Sequence, residues 1–226
     1  MTWDDIWEKV FQENEWGRYP DEGLIRFIAR NFFQRTDRGN INILEVGCGP
    51  GPNIWYLSRE GFDAYGIDGS TSAIEKAKGR LGEEGLKAYL RIGDIISLPY
   101  KDNFFDAVID IECLYSNSRE DTKTILGEIK RVLKKDGLFY SRTLTDEMYL
   151  GKTQTKVGHL EYKNISDGPI AGKGFARLMD KVEISNLYGS FFDIISVDKL
   201  EYTKNNGSMK INEWIIVCQN SRKNRK

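Results

Sequence analysis

The stretch Ile43-Leu44-Glu45-Val46-Gly47-Cys48-Gly49-Pro50-Gly51 decides how the chain folds. Together with Ile41 it begins as a short apolar run, Ile41–Val46, which reads as a buried strand. Glycines then take over, and they let the backbone turn tightly and let another group approach it closely. Pro52 opens a helical stretch that runs to Glu60 and stops at Gly61. A buried strand, a glycine turn and a helix in that order make the kind of turn that holds a nucleotide-like ligand at the carboxyl end of a parallel sheet.

Outward from this turn, strand and helix patterns alternate. Asp63–Asp68 reads as a strand and Ser72–Leu81 as a helix with Ala73, Ile74 and Ala77 inward. Ala88–Ile92 and Ala107–Ile111 are further strands, and Thr122–Leu133 is an amphipathic helix with Ile125, Ile129, Val132 and Leu133 inward. A turn at Lys135-Asp136-Gly137 leads into a fifth strand, Leu138–Arg142. Such alternation predicts an α/β fold with a parallel sheet covered on both faces, and right-handed crossovers make it doubly wound.

The flanks differ. Upstream, residues 1–38 form a helical cap: Ile6, Val10 and Phe11 share one face, and Leu24, Ile25, Phe27, Ile28 and Phe32 form a second stripe. Gly17 and Pro20 separate the two helices, and Asp21 can cap the second. Residues 40–143 are the expected cofactor-binding core. Residues 144–178 are rich in Gly, Lys and polar groups and too long for a connector, so they read as a lid or substrate insert after strand 5. In 179–220 a helix near Asp180–Tyr188 precedes two strands, Ile194–Tyr202 and Lys210–Cys218, joined by Asn205-Asn206-Gly207 as a hairpin. The basic end, Ser221–Lys226, reads as a solvated tail. All of this is expected to form one domain over 1–226.

Composition narrows the function. Of 226 residues, 40% are hydrophobic and 30% charged, the balance of a soluble globular protein. A net charge of −1 provides no basic field for holding nucleic acid. Cys48, Cys113 and Cys218 are too scattered for a disulfide framework or a zinc site, and no close Asp/Glu/His set reads as a metal site. The early Trp3, Asp4, Asp5 and Glu8 do not resemble a signal peptide, and no window reaches the ~18 apolar residues of a membrane span. The expected setting is cytoplasmic, as a monomer or homodimer, with no nucleic-acid or membrane partner.

Two acids sharpen the ligand. Asp68 ends the second strand about twenty residues after the glycine turn, where an acid accepts hydrogen bonds from ribose hydroxyls. Asp94 ends the third strand, where it can accept from an adenine amino group while Ile95 packs on the ring. A dinucleotide needs G-x-G-x-x-G, but the third glycine position holds Pro52 and the glycines run G-x-G-x-G. S-adenosylmethionine has no phosphate and needs close backbone packing instead, and the pattern favours it.

These residues resemble class I S-adenosylmethionine-dependent methyltransferases of the small-molecule type. Ile43 to Gly51 looks like the family's first motif, and Tyr65-Gly66-Ile67-Asp68-Gly69-Ser70 resembles its ribose-binding strand end. Gly93-Asp94-Ile95 with Leu98-Pro99-Tyr100, the run Phe104–Ile111, and Glu128–Gly137 resemble three further motifs, in the family's order, across about Asn40 to Thr143. The resemblance implies a Rossmann-like seven-stranded sheet with an antiparallel last strand. It also implies that Gly47, Cys48, Gly49 and Gly51 contact the methionine part and the ribose, with Glu45 orienting the loop and reaching the cofactor's amino group through water. Asp68, Gly69 and Ser70 would hold the ribose, Asp94 and Ile95 the adenine, and Ile111 and Glu112 the methionyl amine. Many relatives carry a histidine after the fourth strand; Leu114-Tyr115-Ser116 stands there instead, so that histidine's chemistry does not transfer.

The implied reaction moves the sulfonium methyl group to a small-molecule acceptor, at O or N, by in-line displacement. A hydroxyl acceptor usually needs a base or a metal. His159, the only histidine, is the first candidate base, followed by Glu112, Tyr115 and Asp110 near the end of the fourth strand. Trp16 and Tyr19 are expected to fold over the cofactor as part of a lid, with Arg18 or Arg26 meeting a carboxylate. The Asn/Asp-Pro-Pro-Tyr step of DNA-amino methyltransferases is absent. A nucleotide-dependent oxidoreductase and a non-catalytic S-adenosylmethionine-binding regulator or scaffold are the competing readings.

Overall fold

The computed structural model describes residues 3–221, so residues 222–226 of the basic tail lie outside the described residues. Helices α1 (Ile6–Glu13) and α2 (Glu22–Phe32) precede β1 (Asn42–Val46), α3 (Pro52–Arg59), β2 (Asp63–Asp68), α4 (Thr71–Glu83) and β3 (Tyr89–Ile92). Then follow β4 (Phe105–Ile111), α5 (Arg119–Val132) and β5 (Leu133–Leu144). The short strands β6 (Thr155–Gly158), β7 (Glu161–Lys163) and β8 (Ala176–Arg177) come next, before α6 (Lys181–Leu187), β9 (Asp193–Lys204) and β10 (Met209–Gln219).

Seven of these strands form one sheet in the order β3-β2-β1-β4-β5-β10-β9. The pairs from β3 to β5 are parallel, and β10 is antiparallel to both β5 and β9. This is the Rossmann-like doubly wound sheet with an antiparallel last strand that the sequence predicts. Side-chain alternation builds its two faces. Ile43, Ala107, Ile109 and Tyr140 pack towards α2, α3 and α4, whereas Leu44, Val46, Val108 and Phe139 pack towards α5 and α6. The central β1 and β4 are therefore buried almost throughout, and the edge strand β3 is mostly exposed.

Two elements depart from expectation. The fifth strand begins at Leu133, and the turn foreseen at Lys135-Asp136-Gly137 is an irregularity inside it. Asp136 takes a left-handed φ of 62°, yet its N–H donates to Asn220 and the Gly137 carbonyl accepts from Asn220 N–H, so the chain continues across the kink. The 144–178 insert contains a three-stranded sheet in the order β6-β7-β8. Its Met148, Ile165, Ile170 and Leu178 cluster with Tyr115, Leu144 and Ile211, which fixes the insert against the end of the main sheet.

The N-terminal helix is fastened by charge at helix ends. Glu8 accepts from Ser70 Oγ at 2.6 Å and from Ser72 N–H at 3.3 Å, at the positive N-terminus of α4. In return Lys76 Nζ donates to the Phe11 carbonyl near the C-terminal end of α1. Glu8→Ala should weaken this attachment by about 1–2 kcal/mol. Hydrogen–deuterium exchange should then show α1 amides opening roughly tenfold more often, with the sheet amides unchanged.

Candidate active site

The chain leaves β1 to build β2 and β3 on one side and then returns to build β4 and β5 on the other. At such a reversal the loops part, and a crevice opens beyond the carboxyl ends of the strands. A cavity of about 290 Å³ lies there. At its floor Gly47 and Cys48 donate their N–H groups to the Ile67 carbonyl at 2.8 and 3.1 Å, which locks the end of β1 to β2. Gly47 has a φ of +67°, and any Cβ would collide with the Cys113 side chain. Gly49, at φ +50°, has the Phe11 ring 3.4 Å from where a Cβ would stand. Both positions favour glycine for backbone conformation, and Gly47 needs it for space as well.

Asp68 ties the glycine loop to the next turn. One carboxylate oxygen accepts Gly49 N–H and the other accepts Ser70 N–H, both at 2.8 Å. Burial raises its pKa, while those two amides pull the other way. Asp94 accepts Ile96 N–H at 3.1 Å, and Asp94 and Ile95 both line the cavity, as do Gly69, Ile111 and Cys48.

Glu45 is almost fully buried at the cavity wall. Its Oε1 accepts from Asn53 Nδ2 at 2.6 Å, and Asn53 Oδ1 in turn accepts Asp21 N–H at 3.0 Å. Its Oε2 is buried and has no hydrogen-bond partner. Burial pushes the Glu45 carboxyl up to about 8, against the Asn53 hydrogen bond and with help from Asp68 and Asp110. An unpartnered buried carboxylate oxygen is costly, and such groups call for an explanation.

The turn after β4 is shaped by Asp110, which accepts the N–H groups of Cys113 and Leu114 at 3.0 Å each and Ser141 Oγ at 2.6 Å. This holds Glu112 at a φ of 55°, a strained conformation for a residue with a side chain. Burial, then the neighbouring Glu213 carboxylate, push the Glu112 carboxyl up. Tyr115 is buried and lines the cavity, and burial also pushes its hydroxyl up. Arg142 sits between acids, in contact with Asp21 and Glu213 and with its Nε 3.9 Å from Glu112.

Several expected site residues fall outside the cavity wall, the candidate base Asp110 among them. His159 stands exposed on the tight turn between β6 and β7. The neighbouring Leu160 takes the inward position and packs with the insert's apolar cluster, which leaves the imidazole outside. Gly51 is the N-cap of α3 at φ 78°, and a Cβ there would lie 2.9 Å from Ala77, so its role is to let α3 and α4 approach. Ser70 caps α4 through Ala73 N–H and donates to Glu8. Arg18 is exposed and Arg26 pairs with Glu22 on the surface, so the cations that reach the cavity are Arg142 and Lys173. Tyr19, 82% exposed, stands at the rim, and Trp16 lines the wall.

The residues that sequence reasoning missed are long-range partners. Asn53 and Arg142 look like ordinary helix and strand residues, and only tertiary pairing gives them a place. Trp3, Trp7 and Phe11 join Trp16 over the cavity; the density of aromatics in the first helix was the available signal.

A methyltransferase-domain family model matches residues 44–141. The chain is 33% identical over 118 residues to a norajmaline N-methyltransferase of Rauvolfia serpentina, covering 51% of this chain and 39% of that relative. It is 30% identical over 105 residues to an uncharacterized methyltransferase of Schizosaccharomyces pombe, covering 46% of this chain and 72% of that relative. Other curated relatives are longer, and the chain spans 42–51% of their length. A solved SAM-dependent methyltransferase of Methanosarcina mazei has the same fold, with a TM-score of 0.73 at 20% identity over 91% of this chain and 100% of that one. Sequence motifs, sheet topology and these similarities converge: the chain belongs to the class I S-adenosylmethionine-dependent methyltransferases.

Proposed function

We propose that this chain binds S-adenosylmethionine in the cavity at the ends of β1, β2 and β4 and transfers its methyl group to a small-molecule acceptor. The observation that carries this reading is the chemistry of the wall. Glu45, which keeps one buried oxygen without a partner, lines the cavity with Gly47 and Gly49, and Asp68 and Asp94 line the same space. Pro52, at the start of α3, has no N–H to offer a pyrophosphate, which argues against a dinucleotide.

Glu45 would accept from the cofactor's ammonium group, directly or through one water. Asp68 would accept from the ribose hydroxyls, since each of its oxygens retains a lone pair beyond its backbone bond. Asp94 and Ile95 would meet the adenine. When bound, the cofactor supplies an activated sulfonium methyl group. The chain's own task is to position the acceptor in line with it and to exclude water. The rings of Trp3, Trp7, Phe11 and Trp16, with Lys173 of the insert, line the cavity. A small molecule suits this covered space, and the net charge of −1 offers little to a nucleic acid.

Calorimetry should show S-adenosylmethionine binding at least tenfold more tightly than NAD. Asp68→Asn should weaken that binding by about tenfold or more, the usual consequence of losing charge-assisted hydrogen bonds. Tighter binding of NAD, or no binding of S-adenosylmethionine, would refute the reading.

Keeping Glu45 for a ligand also has a cost in the free protein. Its folded pKa of about 8 lies above its ordinary value of 4.5. The native state therefore holds the proton more tightly, and stability declines as pH rises through that window, by at most ~1.4 kcal/mol per pH unit. In ligand-free denaturation, Glu45→Gln should gain stability relative to the wild type from pH 5 to pH 8 while binding S-adenosylmethionine more weakly.

A further inference from the structure

The insert places one cation inside the cavity. Lys173 lines the wall, with its ammonium 5.3 Å from the centre of the Trp16 ring and 5.9 Å from that of Trp7. Those rings pack with Phe11, at centroid distances of 5.7 Å for Trp7–Phe11 and 5.1 Å for Phe11–Trp16. Among the described residues Lys173 makes no ion pair and no side-chain hydrogen bond. Burial against these ring faces lowers its pKa, with Lys204 acting the same way, while the Glu112 carboxyl favours its charge. An aromatic wall next to a carboxylate is the chemistry that selects an ammonium group.

The remaining charges on this side of the cavity point the same way. Arg142 offers little to an anion, because its Nε donates to Glu213 at 2.6 Å and its terminal nitrogens contact Asp21 and Glu213. One guanidinium thus faces Asp21 and Glu213, with Glu112 also within 3.9 Å. Without Lys173 this end of the cavity is acidic and aromatic. Lys173 belongs to the 144–178 insert, and its ammonium makes no hydrogen bond or ion pair among the described residues, so an incoming cation can displace it.

We infer that the methyl acceptor is a primary or secondary amine, which enters as its ammonium ion, takes the place of Lys173 Nζ between Trp7, Trp16 and Glu112, and gives its proton to Glu112. This rests on the proposed methyl transfer and adds the acceptor's class. The proton passes from nitrogen to the Glu112 carboxylate. The freed nitrogen lone pair forms the new N–C bond, the C–S bond breaks, and its electron pair stays on sulfur, which becomes a neutral thioether. The product leaves as the N-methylated ammonium, and Glu112 returns its proton to solvent. The groups that surround Glu112 are Glu213 on β10, Arg142 on β5, Asp110 on β4, Lys173 in the insert, Tyr115 after β4 and Tyr202 on β9. Burial and Glu213 raise the Glu112 carboxyl towards the range of an amine, which brings the proton transfer closer to balance.

The test uses the full chain saturated with S-adenosylhomocysteine and three probes of matched shape: 2-phenylethylamine, 2-phenylethanol and phenylacetate. Calorimetry should give an amine Kd at least tenfold lower than that of the alcohol, with phenylacetate weakest. Glu112→Gln should weaken the amine at least tenfold and leave the alcohol within twofold. Lys173→Met should tighten the amine severalfold, because the competing cation is gone. Preference for phenylacetate, equal or absent binding of the three, or amine affinity indifferent to Glu112→Gln would overturn the inference. Retained S-adenosylhomocysteine binding in each variant shows that the site is folded. If the cofactor itself does not bind the wild-type chain, the methyl-transfer reading fails first; if it binds and the amine does not, only the acceptor class fails.

Discussion

Gly47 has no side chain, and the space where one would stand is filled by Cys113 from the turn after β4. That contact joins the two strands between which the sheet reverses its order. It allows β1 and β4 to end at the same level, so that the turns beyond them surround a common space. Asp110 secures the β4 side by accepting two amides of its own turn, and Asp68 secures the β2 side by accepting Gly49 and Ser70. The cavity is thus framed by backbone groups satisfied by buried acids, a rigid arrangement because few of its parts can move without leaving a buried polar group unpaired.

Over this rigid floor the chain lays two covers of different kinds. The N-terminal helix is attached through Glu8 and Lys76 at helix ends, and it brings its aromatic rings above the glycine loop. The insert is attached by apolar packing around Met148, Ile165 and Leu178 and brings Lys173 in from the other side. Below them stands a set of acids: Glu45, Asp21, Glu112 and Glu213. Asp21 and Glu213 are compensated by Arg142, while Glu45 keeps one oxygen without a partner. The fold carries this cost at the cavity, where a cationic ligand would relieve it.

The main sheet was legible in the sequence because its signal is local and repeated. Apolar runs such as Ile43–Val46 and Ala107–Ile111 are strands buried on both faces, and the glycine loop between β1 and α3 announces itself by residue type. The strand limits shifted where pairing overrode the pattern: Asp136 looks like a turn, but Asn220 supplies partners that keep it in β5. The insert lacks a period, since its strands are two to four residues long and its core comes from elements far apart in sequence. His159 attracted attention as the sole histidine, yet residue type says nothing about which side of a tight turn packs inward, and Leu160 takes that place in the insert's apolar cluster.

By itself, then, the sequence determined the sheet, the position of the crevice and the residue types of its floor. Each depends on residues within one strand–turn–helix unit, where local spacing dictates geometry. Only the tertiary structure decided what covers the floor and which charges line the cavity. Glu45 meets Asn53, Arg142 meets Asp21 and Glu213, and Lys173 reaches Trp7 and Trp16 across separations of 8 to 166 residues along the chain. Packing of whole elements brings such partners together, and no local pattern encodes it.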